Sequence, residues 1–255
     1  MLLDNVGLHW FLVQVLFLSI DFKFLKSFMA NVAEFISERT RTKKRIDTGS
    51  TALKAAFELH LNQFLALLLL VPLAPTFLII AFLVWRVDGG PFIFAHYRVG
   101  KDGRLFKCMK FRSMRQDSDR VLAELLENDP KARLEWQRDR KLVNDPRITG
   151  VGHFIRKTSL DELPQLMNVL RGEMNLVGPR PVTVAELSKY GTSRWHYVSV
   201  KPGMTGLWQV SGRNNTTYEE RVALDRLYVE SHSFFSDVAI LFKTVKVVLL
   251  REGAR

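Results

Sequence analysis

The chain has 255 residues, of which 47% are apolar and 25% charged, values that exclude a disordered protein, a collagen-like repeat and a porin-like barrel. Its net charge of +11 is uneven: +2 falls on residues 1–85 and +9 on residues 86–255. The basic part calls for acidic partners, whether nucleic acid, phospholipid or a phosphate-bearing substrate, while the single cysteine, Cys108, excludes an internal disulfide and fits a reducing compartment.

Asn5–Ile20 is an uncharged stretch of 16 residues, short for a membrane span and preceded by Asp4 rather than by a basic segment. It reads as an interfacial helix, and residues 21–50 read as a polar linker. Leu59–Trp85 then runs for 27 residues without a charge. As one helix it would be roughly 40 Å long, against a hydrocarbon core of about 30 Å. Pro72 and Pro75 lie inside it, and each removes a backbone donor and crowds the preceding turn. Two readings stand on the residues alone: a kinked spanning helix, or a helix–break–helix segment that enters and leaves by one face. Arg39, Arg41, Lys43, Lys44, Arg45 and Lys54 precede the run, and Arg86, Arg98, Lys101 and Arg104 follow it. Basic flanks on both sides lean toward two cytoplasmic ends.

Phe92–Val99 and Arg104–Phe111 are strand-like and are joined by Gly100-Lys101-Asp102-Gly103, a hairpin signal. Alternation puts Lys110 and Arg112 on one face of the second arm, either as solvated charges or as phosphate contacts. Asp117–Leu142 reads as two helices around Asp129-Pro130. Gly150-Val151-Gly152 lacks the rest of a dinucleotide fingerprint.

Leu160, Leu163, Leu166/Met167 and Leu170 mark a helix with one buried face, ended by Gly172. Ser159 and Glu162 have capping-box spacing, so Glu162 has a structural explanation ready. The chemical alternative uses the same positions. Adjacent Asp161 and Glu162 at a helix start can hold Mg²⁺ and leave one oxygen to attack, with Arg156 and Lys157 one turn upstream. Gly178-Pro179-Arg180-Pro181 fixes the backbone around one arginine, a residue suited to bidentate phosphate binding. Lys201–Gly206 is a rigid turn leading into an expected strand, Leu207–Val210. The loop 211–215 carries a second phosphate candidate, Arg213. Asp237–Leu250 reads as an amphipathic helix, either interfacial or packed on the core.

From about Thr51 to Leu250 these segments, in order, resemble the bacterial sugar transferases of the small monotopic phosphoglycosyl transferase superfamily. The motifs that carry the resemblance are the proline-broken apolar segment, FKCMKFRSM at 106–114, RKTSLDELPQLMNVLRGEMNLVGPRP at 156–181 and KPGMTGLWQVSGRN at 201–214. The likeness is greatest to initiating enzymes of exopolysaccharide synthesis, the undecaprenyl-phosphate galactose or glucose phosphotransferases. The resemblance implies transfer of hexose 1-phosphate from a UDP-hexose to undecaprenyl phosphate, with UMP released. It implies Asp161 as the nucleophile, Glu162 as its Mg²⁺-holding partner, and Arg156 and Arg180 beside the phosphates. It also implies a helix broken at a Ser-Pro pair, here Ala74-Pro75, on the cytoplasmic face of the inner membrane.

The expected fold is therefore α+β. Residues 1–50 form an N-terminal extension, 51–87 a proline-broken re-entrant membrane helix, and 88–255 a mostly helical catalytic domain carrying a small β-hairpin or sheet. The expected partners are UDP-hexose, undecaprenyl phosphate, inner-membrane lipid and downstream glycosyltransferases. Nucleic acid is not expected, since neither a recognition helix nor an aromatic-studded basic sheet is present. A catalytically silent scaffold of a polysaccharide assembly complex is the alternative, and the intact Asp161-Glu162 pair argues against it.

Overall fold

A computed structural model of the chain describes residues 48–139, 142–212 and 216–250. The expectations for residues 5–20, for the linker before Thr48 and for Arg213 fall outside the described residues. The first described element is a helix of 41 residues, α1 (Thr48–Asp88). Its apolar stretch Leu53–Asp88 is long enough to cross a membrane, and only 22% of its most apolar window is buried. One stripe, Ala66, Phe77, Ile80, Ala81 and Val84, packs on the rest of the molecule. The opposite face exposes Leu68, Leu69, Val71, Leu78, Ile79 and Phe82. In water that face would be polar; a long helix that is apolar all round and buried on one side only is suited to lipid.

The helix runs through Pro72 and Pro75, so the two expected halves form a single element rather than two separated ones. Each proline removes one intrahelical bond, and the turns on either side keep theirs.

The hairpin forms as expected. Strands β1 (Ile93–Val99) and β2 (Leu105–Phe111) pair antiparallel, with Ile93 opposite Phe111 and Val99 opposite Leu105. Asp102 (φ 57°) and Gly103 (φ 74°) both take the left-handed conformation, which Asp tolerates and Gly adopts freely. Helices α2 (Ser118–Asn128) and α3 (Pro130–Asp139) meet at Asp129. The Asp129 Oδ1 accepts from the amides of Lys131 and Ala132 at 2.8 and 3.2 Å, and Pro130 opens the second helix, where no amide donor is needed.

Helix α4 (Gly150–Lys157) is capped by Thr149, whose Oγ1 accepts from Gly152 N at 2.9 Å. A Cβ on Gly152 would stand 1.9 Å from Ser113 O, so the glycine at 152 serves close packing. A single 3₁₀ turn (Leu160–Glu162) follows, then α5 (Gln165–Leu170). Strand β3 (Asn175–Val177) pairs in parallel with β4 (Gly203–Thr205). Between them lie α6 (Val184–Ser188) and α7 (Arg194–Ser199). The strand expected at Leu207–Val210 is instead a short helix, α8, and pairing takes place in the residues just before it. A four-residue apolar run carries too little periodicity to separate the two. Helices α9 (Tyr218–Ser231) and α10 (Phe234–Leu250) complete the fold.

Among the described residues the molecule is thus mostly helical, with two small sheets and one long apolar helix. Strand β2 links two cores. Phe106 and Cys108 join Ala66, Leu166, Val169, Leu170 and Ile240 in one. Phe111 joins Phe77, Ala81, Val84, Phe92 and Ile155 in the other. Both halves of α1 therefore pack on the same domain. Polar bonds hold α1 at Asn62 and Gln63 and at its C-terminal end as well. Gln63 Nε2 donates to Leu170 O and Leu176 N to Asn62 Oδ1, each at 2.8 Å, while Asp88 accepts from Arg112 and from the Gln116 amide.

Candidate active site

The Ser159–Glu162 capping box does not form. Ser159 takes the left-handed conformation (φ 57°, ψ 14°), and its side chain caps nothing. A non-glycine residue held there stores conformational strain, a feature that clusters at functional sites. The consequence is geometric: the chain turns sharply after α4, and the tight 3₁₀ turn aims Asp161 and Glu162 at β2.

On β2, Lys110 Nζ lies 2.6 Å from Glu162 Oε1 and 3.9 Å from Asp161 Oδ2. Arg180 Nη1 approaches Glu162 Oε1 to 3.6 Å. Glu162 thus takes the close ion pairs, and Asp161 keeps its oxygens at longer range. The Asp161 side chain is only 13% exposed. Burial pushes its carboxyl above the usual range; Lys110, Arg156 and Arg180 pull it down, and the neighbouring Glu162 charge pushes it up. Arg156 donates from Nε to Ser113 Oγ at 2.8 Å, and burial lowers its pKa while Asp161 opposes that shift.

Of the sequence candidates, Lys110, Glu162 and Arg180 line one small open pocket, with Arg98, Cys108 and Gln165 beside them. Arg112 goes elsewhere. Its guanidinium is nearly buried and bonds Asp88 and the Gly89 carbonyl at the end of α1. Alternation places Lys110 and Arg112 on one face of β2, but Arg112 fastens the apolar helix to the hairpin and Lys110 serves the carboxylates. Burial raises the Cys108 thiol, consistent with a packing role.

Asn168 was not singled out in the sequence. It is fully buried; its Oδ1 accepts from Met109 N at 3.0 Å, and its Nδ2 donates to Lys107 O at 2.8 Å and to Glu173 Oε2 at 2.6 Å. These bonds lock α5 to β2 on either side of Cys108 and fix Lys110 relative to the acids. An asparagine among Leu166, Val169 and Leu170 on a core-facing helix was the available signal.

The Arg180 loop is clamped by glycines. Gly178 N donates to Thr205 O at 2.9 Å and Gly203 N to Pro179 O at 2.8 Å. A Cβ on Gly203 would stand 2.1 Å from Gly178 N, and one on Gly206 2.3 Å from Gly178 O, so only glycine allows this approach. Trp208 supports the same loop, with Arg180 and Arg221 at 5.9 and 4.7 Å from its ring centre.

Among the described residues no group of three or more His, Cys, Asp or Glu could enclose a metal. Mg²⁺ needs no such cage: one or two carboxylates, substrate phosphates and water suffice. The adjacent Asp161 and Glu162 fit that donor set.

This constellation, a strained turn presenting two acids to three cations beside an apolar helix, lies wholly within a region with known counterparts. The profile described as bacterial sugar transferase matches residues 51–251. The chain belongs to the bacterial sugar transferase family. It is 61% identical over 189 residues to the UDP-galactose-lipid carrier transferase of Erwinia amylovora, which covers 74% of this chain and 39% of that protein. It is 55% identical over 206 residues to the undecaprenyl-phosphate galactose phosphotransferase of Salmonella typhimurium, covering 81% and 42%. It is 45% identical over 225 residues to the exopolysaccharide production protein ExoY of Sinorhizobium fredii, covering 88% and 96%. The chain thus spans about two fifths of the first two relatives and nearly all of the third.

Proposed function

We propose that this protein transfers hexose 1-phosphate from a UDP-hexose to undecaprenyl phosphate, releasing UMP and starting an exopolysaccharide repeat unit. The observation that carries this reading is the half-buried Asp161-Glu162 pair facing Lys110 and Arg180 beside an apolar helix. The names of the related proteins point to the same substrates.

Arg180, Arg156 and Lys110 neutralise the donor diphosphate, while Glu162 holds Lys110 and Arg180 in place. An Asp161 oxygen then attacks the β-phosphorus. The bond from that phosphorus to the bridging oxygen breaks, UMP leaves with the electron pair, and the hexose phosphate stays on Asp161 as an acyl phosphate. An oxygen of undecaprenyl phosphate attacks the same phosphorus in the second step and frees the Asp161 carboxylate. Splitting the reaction lets one anion depart before the next approaches. Asp161 and Glu162 are the residues that would hold Mg²⁺, which supplies charge neutralisation on the diphosphate.

For the membrane helix, a one-sided arrangement is the reading best supported. Gln63 and Asp88 would be about 37 Å apart on a straight helix, more than the hydrocarbon thickness of about 30 Å. A perpendicular span would set their polar partners on opposite sides of the bilayer. Those partners belong to one domain, joined through β2 and its Lys107 and Lys110, which a hydrocarbon core would not accept. On this reading the helix enters and leaves by one face, bending at Pro72 and Pro75. That face is the cytoplasmic side of the inner membrane, where UDP-sugars are found.

UMP release across a panel of UDP-hexoses, with undecaprenyl phosphate and Mg²⁺, tests the reading. Turnover with at least one hexose is expected. Absence of UMP with every donor would favour the silent-scaffold alternative.

A further inference from the structure

The Arg180 loop is held at two points, and a single side-chain atom completes the second. Upstream, backbone bonds tie Gly178 and Pro179 to β4. Downstream, Val182 bridges to Val99 of β1, with Val99 N donating to Val182 O at 2.9 Å. Tyr197, on α7, closes that bridge: its hydroxyl accepts from Val182 N at 3.1 Å and donates to Val99 O at 2.8 Å. Tyr197, Val182 and Val99 are 2%, 6% and 3% exposed, so the bridge is shielded from bulk solvent.

Between the two points the backbone has little freedom. Pro179 and Pro181 fix their own φ angles and restrict the residues before them. The segment behaves as a short rod fastened at both ends, with Arg180 in its middle. Loosening one end would free the guanidinium to leave Glu162 Oε1, which it now approaches to 3.6 Å.

We propose that Tyr197 is a positioning residue for Arg180: its hydroxyl fixes the loop that sets the guanidinium over the donor phosphates. This rests on the reading of Arg180 as a phosphate-binding group. Tyr197 itself lines none of the pocket that holds Lys110, Glu162 and Arg180.

The test compares Tyr197→Phe, Arg180→Ala and the double variant in the full-length protein in nanodiscs. Tyr197→Phe keeps the ring and its packing and removes only the hydroxyl. The expected result is a kcat reduced about tenfold or more, because small misplacements of a positioning group are costly. The KM for UDP-hexose should change less than kcat. In the Arg180→Ala background the same substitution should cause no further loss of UMP release. An equal loss in both backgrounds, or wild-type kcat in Tyr197→Phe, would overturn the proposal.

A second readout does not depend on turnover. Arg180 modification by phenylglyoxal, followed by peptide mass mapping, should be several-fold faster in Tyr197→Phe, because the guanidinium is released from Glu162. An unchanged modification rate also overturns the proposal. If the wild-type protein released no UMP from any donor, the transferase reading would fail, and the modification rates would still decide whether Tyr197 positions Arg180.

Discussion

Replacing Lys110 with methionine isolates the electrostatic control of Asp161. Methionine keeps most of the stem's volume and removes the charge. Lys110 Nζ and Asp161 Oδ2 are 3.9 Å apart, with side-chain exposures of 27% and 13%. At that separation opposite unit charges attract by about 1 kcal/mol in bulk water and by about 4 kcal/mol at an effective dielectric constant near 20. The site is half-buried, so the effect lies between these limits, equivalent to roughly 1 to 3 pH units. The sign follows from the groups present. Burial already raises the Asp161 carboxyl, and Lys110 is the strongest group opposing that rise. Removing it pushes Asp161 further up, and Glu162, which loses its 2.6 Å partner and keeps Arg180 at 3.6 Å, adds a less fully compensated charge. If Asp161 attacks as the carboxylate, as proposed, the acid limb of the kcat/KM profile should move to higher pH, and the variant should recover part of its deficit above pH 8. The assay is UMP release from UDP-hexose between pH 5 and 9. An unmoved acid limb with a uniformly lowered plateau would refute the reasoning and leave Lys110 as a phosphate contact only.

Asp225 is buried, accepts from Tyr190 Oη at 2.8 Å, and is pushed up to about 7, first by burial. The folded state therefore holds this proton more tightly than the unfolded state, so its stabilising contribution is complete below about pH 4 and is lost as pH rises through about 7. Thermal unfolding in nanodiscs should show the wild type losing stability between pH 5 and 8 and Asp225→Asn losing less; parallel pH dependences would rule this out. For topology, cysteines at Lys54 and Lys101 in a Cys108→Ser background should both resist a membrane-impermeant reagent applied outside spheroplasts, and labelling of either one would show a spanning helix.

The hairpin, the α2–α3 corner and the apolar helix were legible because each rests on local chemistry. Asp102-Gly103 selects a tight turn, Asp129-Pro130 ends one helix and caps the next, and no charge interrupts residues 59–85. What local pattern could not supply was partner choice. Ser159 and Glu162 have capping-box spacing, but among the described residues the boxes that form are Thr183 with Glu186 and Thr217 with Glu220. At 159 the backbone turns left-handed, which removes the cap geometry and hands Glu162 to Lys110 across 52 residues of sequence. Arg112 shows the same limit: alternation gives its face, but Asp88, at the far end of another element, decides its role. Asn168 and the Gly178–Gly203–Gly206 clamp act through long-range packing, which no sequence window contains.

The central claim is that Asp161 carries the hexose phosphate. Intact-protein mass spectrometry after a pulse of UDP-hexose and Mg²⁺, with no lipid acceptor, tests it most directly. The expected result is one hexose phosphate bound per protein, mapped to Asp161, with UMP released in a burst approaching one equivalent and neither signal in Asp161→Asn. No adduct, with UMP appearing only when undecaprenyl phosphate is also present, would contradict covalent transfer and leave direct attack by the lipid phosphate.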